Sequence, residues 1–259
     1  MRVCPHTTDI DSSVTPAYGC TSNDSRERPA ERRIPAMKVA IIGAGNVGTA
    51  LATSIGRAGH EVIITSRDPE DAQQAAQATG ARVAEGNAQA AAAADVVIPA
   101  VGFGDIASVA QDIAGPAAGK PVVDVTNRIS FGEAGPDIDT TSSNAEVVAE
   151  LLPDSPVVKA FNTLFASRQA DPTADGLQLD GYVAGDDASA KATVLELVRG
   201  IGLRPIDVGP LVRARQLEAL AFLNMALNIV NGGTWQSGWK LVGAPAAGAS
   251  GGAEQTRGR

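Results

Sequence analysis

The sequence predicts an α/β fold with a doubly wound, mostly parallel sheet, followed by a small C-terminal α/β portion that ends in one long helix. Two observations lead to this prediction. Short β-branched segments alternate with helical segments along most of the chain, and glycine or proline stands at most of the boundaries between them. The chain of 259 residues is long enough for one such domain with a proper core.

The first strand and the first helix carry the clearest patterns. The stretch KVAIIG (38–43) is a continuous apolar run of the kind that a parallel sheet buries on both faces. Over 46–58, the apolar residues Val47, Leu51 and Ile55 recur at helical spacing. Later elements continue the alternation. Strands are expected over 38–43, 61–66, 81–85, 95–101, 120–127, 155–163, 181–187 and 203–209, and helices over 46–58, 68–79, 142–153, 188–200 and 211–231, with one alanine-rich helix between 85 and 95.

Composition divides the chain into four expected segments. Residues 1–36 are rich in Ser, Thr, Pro, Asp and Arg without apolar periodicity, which predicts a disordered N-terminal extension. Residues 244–259 are mostly small and predict a disordered tail. Between these tails, the alternating elements predict a larger nucleotide-binding domain over 37–163 and a small substrate-side portion over 164–243.

Charge and residue usage narrow the possible classes of function. The net charge of −8 argues against nucleic acid as a partner, and no apolar run reaches the roughly 18 residues that a membrane span needs. Cys4 and Cys20 lie in the N-terminal extension, and His60 is the only histidine beyond it, so neither a metal site nor a Ser-His-Asp triad is expected. We expect a cytoplasmic protein that binds a small molecule.

The segment IIGAGNVGTA places Gly43, Gly45 and Gly48 in G-x-G-x-x-G spacing between the first strand and the first helix. This context is typical of a Rossmann dinucleotide-binding loop. The first glycine permits a tight turn, the second lets backbone N–H groups approach a pyrophosphate, and the third lets the helix pack on the strand. The helix N-terminus adds a partial positive charge. The residues expected to bind the cofactor here are Gly43, Ala44, Gly45, Asn46, Val47 and Gly48.

The second strand ends with Ser66 and Arg67, at the distance from the glycine loop where the adenosine ribose should lie. A carboxylate at this position would accept hydrogen bonds from a 2′-hydroxyl and repel a 2′-phosphate. A hydroxyl and a guanidinium do the reverse, because both donate hydrogen bonds to a phosphate dianion. The pair therefore predicts NADP(H) as the cofactor. Asp68 and Asp71 dilute the local positive charge, and a plain surface Ser-Arg pair is the alternative.

Several longer motifs resemble those of the F-420-dependent NADP reductase family. The motifs are MKVAIIGAGNVG, TSRDPE, VVKAFNT, RPIDVGPLVRARQLE and NGGTWQSGWKLVG, and together they run over 37–243. The block DVGPLVRARQLE is far more specific than the glycine pattern. The resemblance implies an enzyme, an NADP-dependent oxidoreductase, that passes hydride between NADP(H) and a co-substrate, the deazaflavin coenzyme F-420.

The resemblance also implies where the two ring systems lie, namely at the carboxyl ends of the strands. Two departures concern this region: the strand end PAVGFG lacks the Pro-Trp of one branch of the family, and Asn162 stands where a histidine can occur. A third departure, Asp71 in place of a lysine of that branch, weakens the 2′-phosphate clamp. The positions implied for the nicotinamide half are Val101, Asn127 and Ala160, and those implied for the second substrate are Phe103, Asn162 and Asn231.

No side chain is assigned a catalytic role, because the sequence predicts no histidine, cysteine or Lys/Glu pair in the cleft. Hydride transfer between two rings needs alignment and exclusion of water more than a proton relay. Along the last helix, solvent exposure is favoured for Asn224 and Asn228, and the alternative is a position facing the cleft. A solvated ion-pair face is favoured for Arg213, Arg215 and Glu218, and the alternative is a site for a phosphorylated substrate tail.

Two other functions remain open at this point. One is a reductase of the same fold that acts on a flavin, a quinone, a carbonyl or an imine. The other is a non-catalytic NADP-sensing protein. A homodimer is the expected assembly.

Overall fold

The computed structural model describes residues 35–132 and 135–243. The N-terminal extension, apart from residues 35 and 36, and the tail over 244–259 lie outside the described residues, so their expected disorder stays a prediction.

The strands within the described residues are mostly short. They are β1 (Lys38–Ile42), β2 (Glu61–Thr65), β3 (Arg82–Val83), β4 (Val96–Pro99), β5 (Val122–Asp124), β6 (Ile129–Gly132), β7 (Gly135–Ile138), β8 (Val157–Lys159), β9 (Thr173–Ala174), β10 (Leu177–Gln178), β11 (Asp180–Gly185) and β12 (Arg204–Asp207).

Helices alternate with the strands in this region, and those over 106–113 and 166–170 are not predicted from the sequence. The helices are α1 (Asn46–Arg57), α2 (Pro69–Thr79), α3 (Asn87–Ala93), α4 (Ile106–Ile113), α5 (Asn144–Leu151), α6 (Ala166–Ala170), α7 (Ala188–Gly200) and α8 (Ala214–Val230), with 3₁₀ turns over Phe103–Asp105 and Leu211–Arg213.

Helix starts follow local capping chemistry. The Asp68 carboxylate accepts a hydrogen bond from the N–H of Glu70 at the start of α2. Ser143 and Glu146 form a reciprocal capping box at the start of α5. At the other end of α2, Gly80 adopts a left-handed conformation (φ 78°) that ends the helix. These residues fix the helix boundaries close to the predicted positions.

Eight strands form one sheet in the order β12-β11-β8-β5-β4-β1-β2-β3. The pairs from β8 to β3 are parallel, whereas β11 runs antiparallel to β8 and parallel to β12. From β1 the chain first winds outward to β2 and β3, then returns to the other side of β1 to form β4. The carboxyl ends of β1 and β4 therefore flank the switch point where such sheets bind ligands. The predicted doubly wound fold is confirmed.

Apolar side chains fill the space on both faces of the sheet. One core layer lies between the sheet and α1, α2 and α7, and the other lies between the sheet and α3, α4 and α5. Val39, Ala40 and Ile41 of β1 have no exposed surface, as expected for a central strand covered on both sides. Within the described residues, every helix falls short of the length and apolar content that a bilayer crossing needs.

The C-terminal portion extends the same sheet. β11 pairs with β8, and side chains such as Leu179, Val183 and Val194 join the core layer that also contains Val39 and Ile41. The division at residue 163 stays a prediction. The structure also adds an antiparallel hairpin, β6–β7, in a stretch where the sequence predicts only a loop.

Gly48 generates the first testable prediction. A Cβ at this position would lie 2.0 Å from the carbonyl oxygen of Gly43, so Gly48→Ala must push α1 away from β1. We expect the free energy of unfolding to fall by about 1–3 kcal/mol in urea denaturation. Gly56→Ala in the same helix is the control, because a Cβ there meets only the Thr79 carbonyl oxygen, at 3.6 Å. This variant should gain up to about 1 kcal/mol from helix propensity. Similar losses in both variants would contradict the assigned contact.

Candidate functional site

A cleft of about 500 Å³ opens at the carboxyl ends of β1, β2 and β4, on both sides of the switch point. It contains much of the predicted cofactor site. The lining residues that the sequence predicts are Gly43, Ala44, Gly45, Ser66, Arg67 and Val101. The cleft also contains side chains from the turn after β4 and from α4, which the sequence does not assign to the site.

The glycine loop has the backbone geometry that a phosphate cradle needs. Gly43 has φ 113°, a conformation that favours glycine, and a Cβ there would lie 2.3 Å from the carbonyl oxygen of Ala100. Around Gly45, by contrast, a Cβ would meet no atom of the described residues within 4 Å, so this edge of the loop is open. Gly45 is also the N-cap of α1 and supplies no side-chain cap. The backbone N–H groups of the first turn, Asn46–Gly48, are thus available to an external acceptor.

Ser66 and Arg67 follow β2 directly and line the same cleft. The Arg67 side chain is 91% exposed, and its Nη1 lies 3.6 Å from Oδ1 of Asp105, which is 58% exposed. Asp68 caps α2, with Oδ1 2.9 Å from the N–H of Glu70. The guanidinium therefore extends into solvent at the cleft mouth, where a 2′-phosphate could reach it.

A pair of amides marks the carboxyl ends of β5 and β8. Nδ2 of Asn162 donates to Oδ1 of Asn127 at 2.8 Å and to the carbonyl oxygen of Leu217 in α8 at 3.0 Å. Asn162 is buried, and its Oδ1 accepts no hydrogen bond within the described residues. The structure thus brings together two predicted site residues, one from each strand end, and connects them to α8.

The turn that carries Asn162 is held in a strained conformation. Phe161 has φ 62°, which is uncommon for a residue with a large side chain. The buried Gln169 donates from Nε2 to the carbonyl oxygens of Phe161 at 3.1 Å and of Leu164 at 3.3 Å. Two side-chain hydrogen bonds from α6 therefore stabilise the turn, and such local strain is found at functional sites more often than elsewhere.

A buried charge cluster lies beside the amide pair. Nζ of Lys159 donates to Oδ2 of Asp124 and to Oε1 of Glu218, both at 2.7 Å, and to the carbonyl oxygen of Thr126 at 2.5 Å. The side chains of Lys159 and Asp124 have no exposed surface, and that of Glu218 has 1%. The cluster joins β5, β8 and α8 at the carboxyl edge of the sheet.

Glu218 also accepts hydrogen bonds from the backbone, so it is not the solvent-exposed residue that the sequence predicts. Its carboxylate accepts the backbone N–H of Arg128 at 3.0 Å and of Asn144 at 2.9 Å. Burial raises the pKa of the Glu218 carboxyl above its ordinary value, and the Lys159 ammonium offsets only part of that rise. The expectation of a solvated ion-pair face is therefore wrong for Glu218, because its partners come from three other segments that the sequence does not connect.

Lys159 and Glu218 form a buried pair that the sequence does not predict, and neither residue lines the cleft. Arg215 pairs with Glu146, with Nη2 2.6 Å from Oε1. This bond holds the pKa of the Glu146 carboxyl below its ordinary value. Arg215 thus links α8 to α5 and does not face the cleft mouth.

The amides of α8 are likewise buried, contrary to expectation. Nδ2 of Asn228 donates to Oγ of Ser237 at 2.7 Å, and Oγ of Ser237 donates to Oδ1 of Asn224 at 2.6 Å. Asn228 also accepts the N–H of Trp235 at 3.0 Å. These side chains fasten the segment after α8 onto the helix, which explains their burial.

Eight predicted site residues do not line the cleft, namely Asn46, Val47, Gly48, Phe103, Asn127, Ala160, Asn162 and Asn231. Ala160 is fully buried, so the expected contact with the nicotinamide half has no support in this conformation. Asn231 lines a separate depression between α8 and the segment that follows it. Phe103 is 39% exposed on the 3₁₀ turn after β4, next to the cleft.

The fold and the cleft define a Rossmann-type dinucleotide-binding protein. Its open glycine edge, its uncapped helix N-terminus and its exposed arginine fit a dinucleotide that carries a 2′-phosphate.

Comparison with known proteins identifies the family. The family model described as NADP oxidoreductase, coenzyme F420-dependent, matches residues 38–128. The F420-dependent NADP reductase of Methanothermobacter marburgensis is 36% identical over 212 residues, which cover 75% of this chain and 94% of that protein. The chain belongs to this family of NADP-dependent oxidoreductases.

Other relatives extend the comparison. Metalloreductase STEAP3 of Rattus norvegicus is 34% identical over 198 residues, but the chain spans only 39% of that protein's length. A crystal structure from Arthrobacter sp. FB24, assigned as an F420-dependent NADP-reductase, is 31% identical with a TM-score of 0.72 and covers 80% of this chain and 100% of that one. Relatives with different names thus match most of this chain.

The buried cluster yields a prediction about stability. Lys159→Met keeps the length of the side chain but leaves two carboxylates buried without their cation. We expect the free energy of unfolding to fall by about 3–5 kcal/mol in urea denaturation at pH 7. Arg199→Met removes an exposed ion pair with Glu196 on α7 and should cost less than about 1 kcal/mol. If Lys159→Met cost no more than this control, Lys159 would not neutralise the carboxylates.

Proposed function

We propose that this protein transfers hydride between NADP(H) and coenzyme F-420. The match to the Methanothermobacter marburgensis F420-dependent NADP reductase supports the proposal most strongly, because it covers nearly the whole of that protein. The cleft supports the cofactor half independently. Its glycine loop and its Ser66–Arg67 pair line one continuous surface at the switch point of the sheet.

Each group of residues has a proposed role. The residues from Gly43 to Gly48 hold the pyrophosphate through backbone N–H groups, and Ser66 and Arg67 hold the 2′-phosphate. Val101 lines the cleft after β4, towards the nicotinamide half. We leave Ala160 and Asn231 out of this assignment, because the first is buried and the second lies at another depression.

The acceptor side is proposed to lie at the ends of β5 and β8. Asn127 and Asn162 present amides there, and the buried Oδ1 of Asn162 can accept a hydrogen bond from a bound ring. Phe103 offers an apolar surface on the adjacent turn. NADPH, when bound, supplies the hydride, so these residues need to align two rings and exclude water. The Lys159 cluster has no exposed surface and is given no part in proton transfer.

Similarity to metalloreductases favours a second candidate, in which electrons from NADPH reduce a metal ion. Metalloreductase STEAP3 is 34% identical over 76% of this chain. Because the match spans only 39% of that protein's length, this similarity carries less weight than the match to the reductase. A flavin, quinone, carbonyl or imine acceptor, or a sensor without turnover, are further outcomes of the acceptor experiment below.

We further propose a homodimer. Within the described residues, Leu223, Leu227 and Val230 on α8 are exposed, as are Leu241 and Val242 after it. Exposed apolar residues grouped on one element are typical of subunit contacts. Analytical ultracentrifugation tests the assembly. The cytoplasmic location stays a prediction.

Arg67 tests the choice of cofactor. Arg67→Ala removes a charge-assisted hydrogen bond to the 2′-phosphate, worth roughly 1.5–3 kcal/mol. We expect the Kd for NADPH to rise about tenfold or more in a fluorescence titration, while the Kd for NADH stays the same. Arg82→Ala is the control, because Arg82 lies outside the cleft and pairs with Glu61 at 3.7 Å. Equal losses for NADPH and NADH would contradict the assigned phosphate contact.

The acceptor is tested by stopped-flow mixing. Protein loaded with NADPH should bleach the absorbance band of oxidised F-420 in a single turnover. Parallel mixes contain a free flavin, a quinone, an imine, a carbonyl compound or a ferric chelate. Faster turnover with any of these than with F-420 would move the assignment to that acceptor. NADPH binding without turnover of any of them would favour the sensor.

A further inference from the structure

The salt bridge between Arg67 and Asp105 spans the mouth of the cofactor cleft. Arg67 follows β2, and Asp105 ends the 3₁₀ turn after β4, so the two side chains come from opposite sides of the switch point. Nη1 of Arg67 lies 3.6 Å from Oδ1 of Asp105. The guanidinium that is proposed to bind the 2′-phosphate is therefore already paired with an anion from the protein.

The pairing of Arg67 with Asp105 matters because the cleft is lined by more acidic than basic side chains. Among the described residues that line the cleft, Arg67 is the only lysine or arginine, whereas the acids are Asp68, Asp71, Asp105 and Asp112.

Two of these acids have other roles. Asp68 accepts the N–H of Glu70 as the cap of α2, and Oδ2 of Asp112 accepts Nδ2 of Asn87 at 2.9 Å. Within the described residues, the recorded partner of the Asp105 carboxylate is Arg67 alone. Asp105 is thus placed to interact with the arginine and with whatever anion the arginine binds.

We propose that Asp105 is a specificity-determining residue that competes with the 2′-phosphate for Arg67 and so lowers the preference for NADP(H) over NAD(H). This inference rests on the proposed function, because it requires the 2′-phosphate to bind at Arg67. A phosphate dianion must displace Asp105 from the guanidinium, and the displaced carboxylate then remains close to a second anion. A ligand with a 2′-hydroxyl avoids both costs. Asp105 therefore penalises the phosphorylated cofactor selectively.

The size of the effect follows from the exposure of the pair. Exposed ion pairs are weak, and added salt screens them, so the competition is modest and depends on ionic strength. The change Asp105→Asn should lower the Kd for NADPH by about two- to fivefold at low salt. The gain should shrink as the salt concentration rises towards about 1 M, where the screening length is only about 3 Å.

The experiment measures binding of NADPH, NADH, 2′,5′-ADP and 5′-ADP to wild type and variants. Asp105→Asn should tighten NADPH and 2′,5′-ADP and leave NADH and 5′-ADP unchanged. Asp112→Asn is the matched control, since it removes the same charge from the same cleft at a residue whose carboxylate pairs with Asn87. It should tighten the phosphorylated ligands less than Asp105→Asn does. A structural defect would weaken binding, whereas the proposal predicts tighter binding.

A double-mutant cycle separates this inference from the proposed function. In an Arg67→Ala background, Asp105→Asn should change the affinity for 2′,5′-ADP much less than in wild type, because the shared cation is gone. If Arg67→Ala weakens NADPH selectively but Asp105→Asn leaves its affinity unchanged or weakened, the competition is wrong and the cofactor assignment stands. If Arg67→Ala affects NADPH and NADH equally, the phosphate contact itself is wrong. If Asp112→Asn tightened binding of the phosphorylated ligands as much as Asp105→Asn does, the effect would come from the overall negative charge of the cleft. That result would overturn the proposal.

Discussion

The close contact between α1 and the glycine loop is the constraint on which the rest of the site depends. The first turn of α1 approaches the carbonyl oxygen of Gly43 so closely that position 48 has no room for a side chain. This approach points the helix N-terminus at the switch point between β1 and β4, where the sheet reverses its winding. The phosphate cradle of the cleft depends on that packing, and Arg67 and Asp105 lie across the same cleft in the segments after β2 and β4.

Local patterns were sufficient to predict the fold and the cofactor side. Each pattern that was used depends only on residues close together in the sequence. These patterns are the continuous apolar run of β1, the spacing of Val47, Leu51 and Ile55, and the glycines of the loop. Ser66 and Arg67 could be placed because only one helix and one strand, α1 and β2, separate them from the loop. Their position in the cleft agrees with that expectation, and their contact with a 2′-phosphate remains a proposal.

The acceptor side could not be predicted in the same way, because its contacts join segments far apart in sequence. Lys159, Asp124 and Glu218 meet only after β5, β8 and α8 have packed together, and no local pattern distinguishes a buried lysine from an exposed one. The same reason explains the burial of Asn224 and Asn228, whose partners belong to the segment that folds back after α8. A buried cluster of this kind stabilises one arrangement of α8 against the strand ends that carry Asn127 and Asn162.

Isotope labelling distinguishes the proposed direct hydride transfer from reduction by any other route. NADPH with deuterium at both C4 positions of the nicotinamide would be mixed with the protein and oxidised F-420, and the products examined by mass spectrometry. Direct transfer between aligned rings predicts that the deuterium lost from NADPH appears in reduced F-420, with none released to water. Deuterium in the solvent, or unlabelled reduced F-420 formed at the rate of NADPH oxidation, would contradict the account.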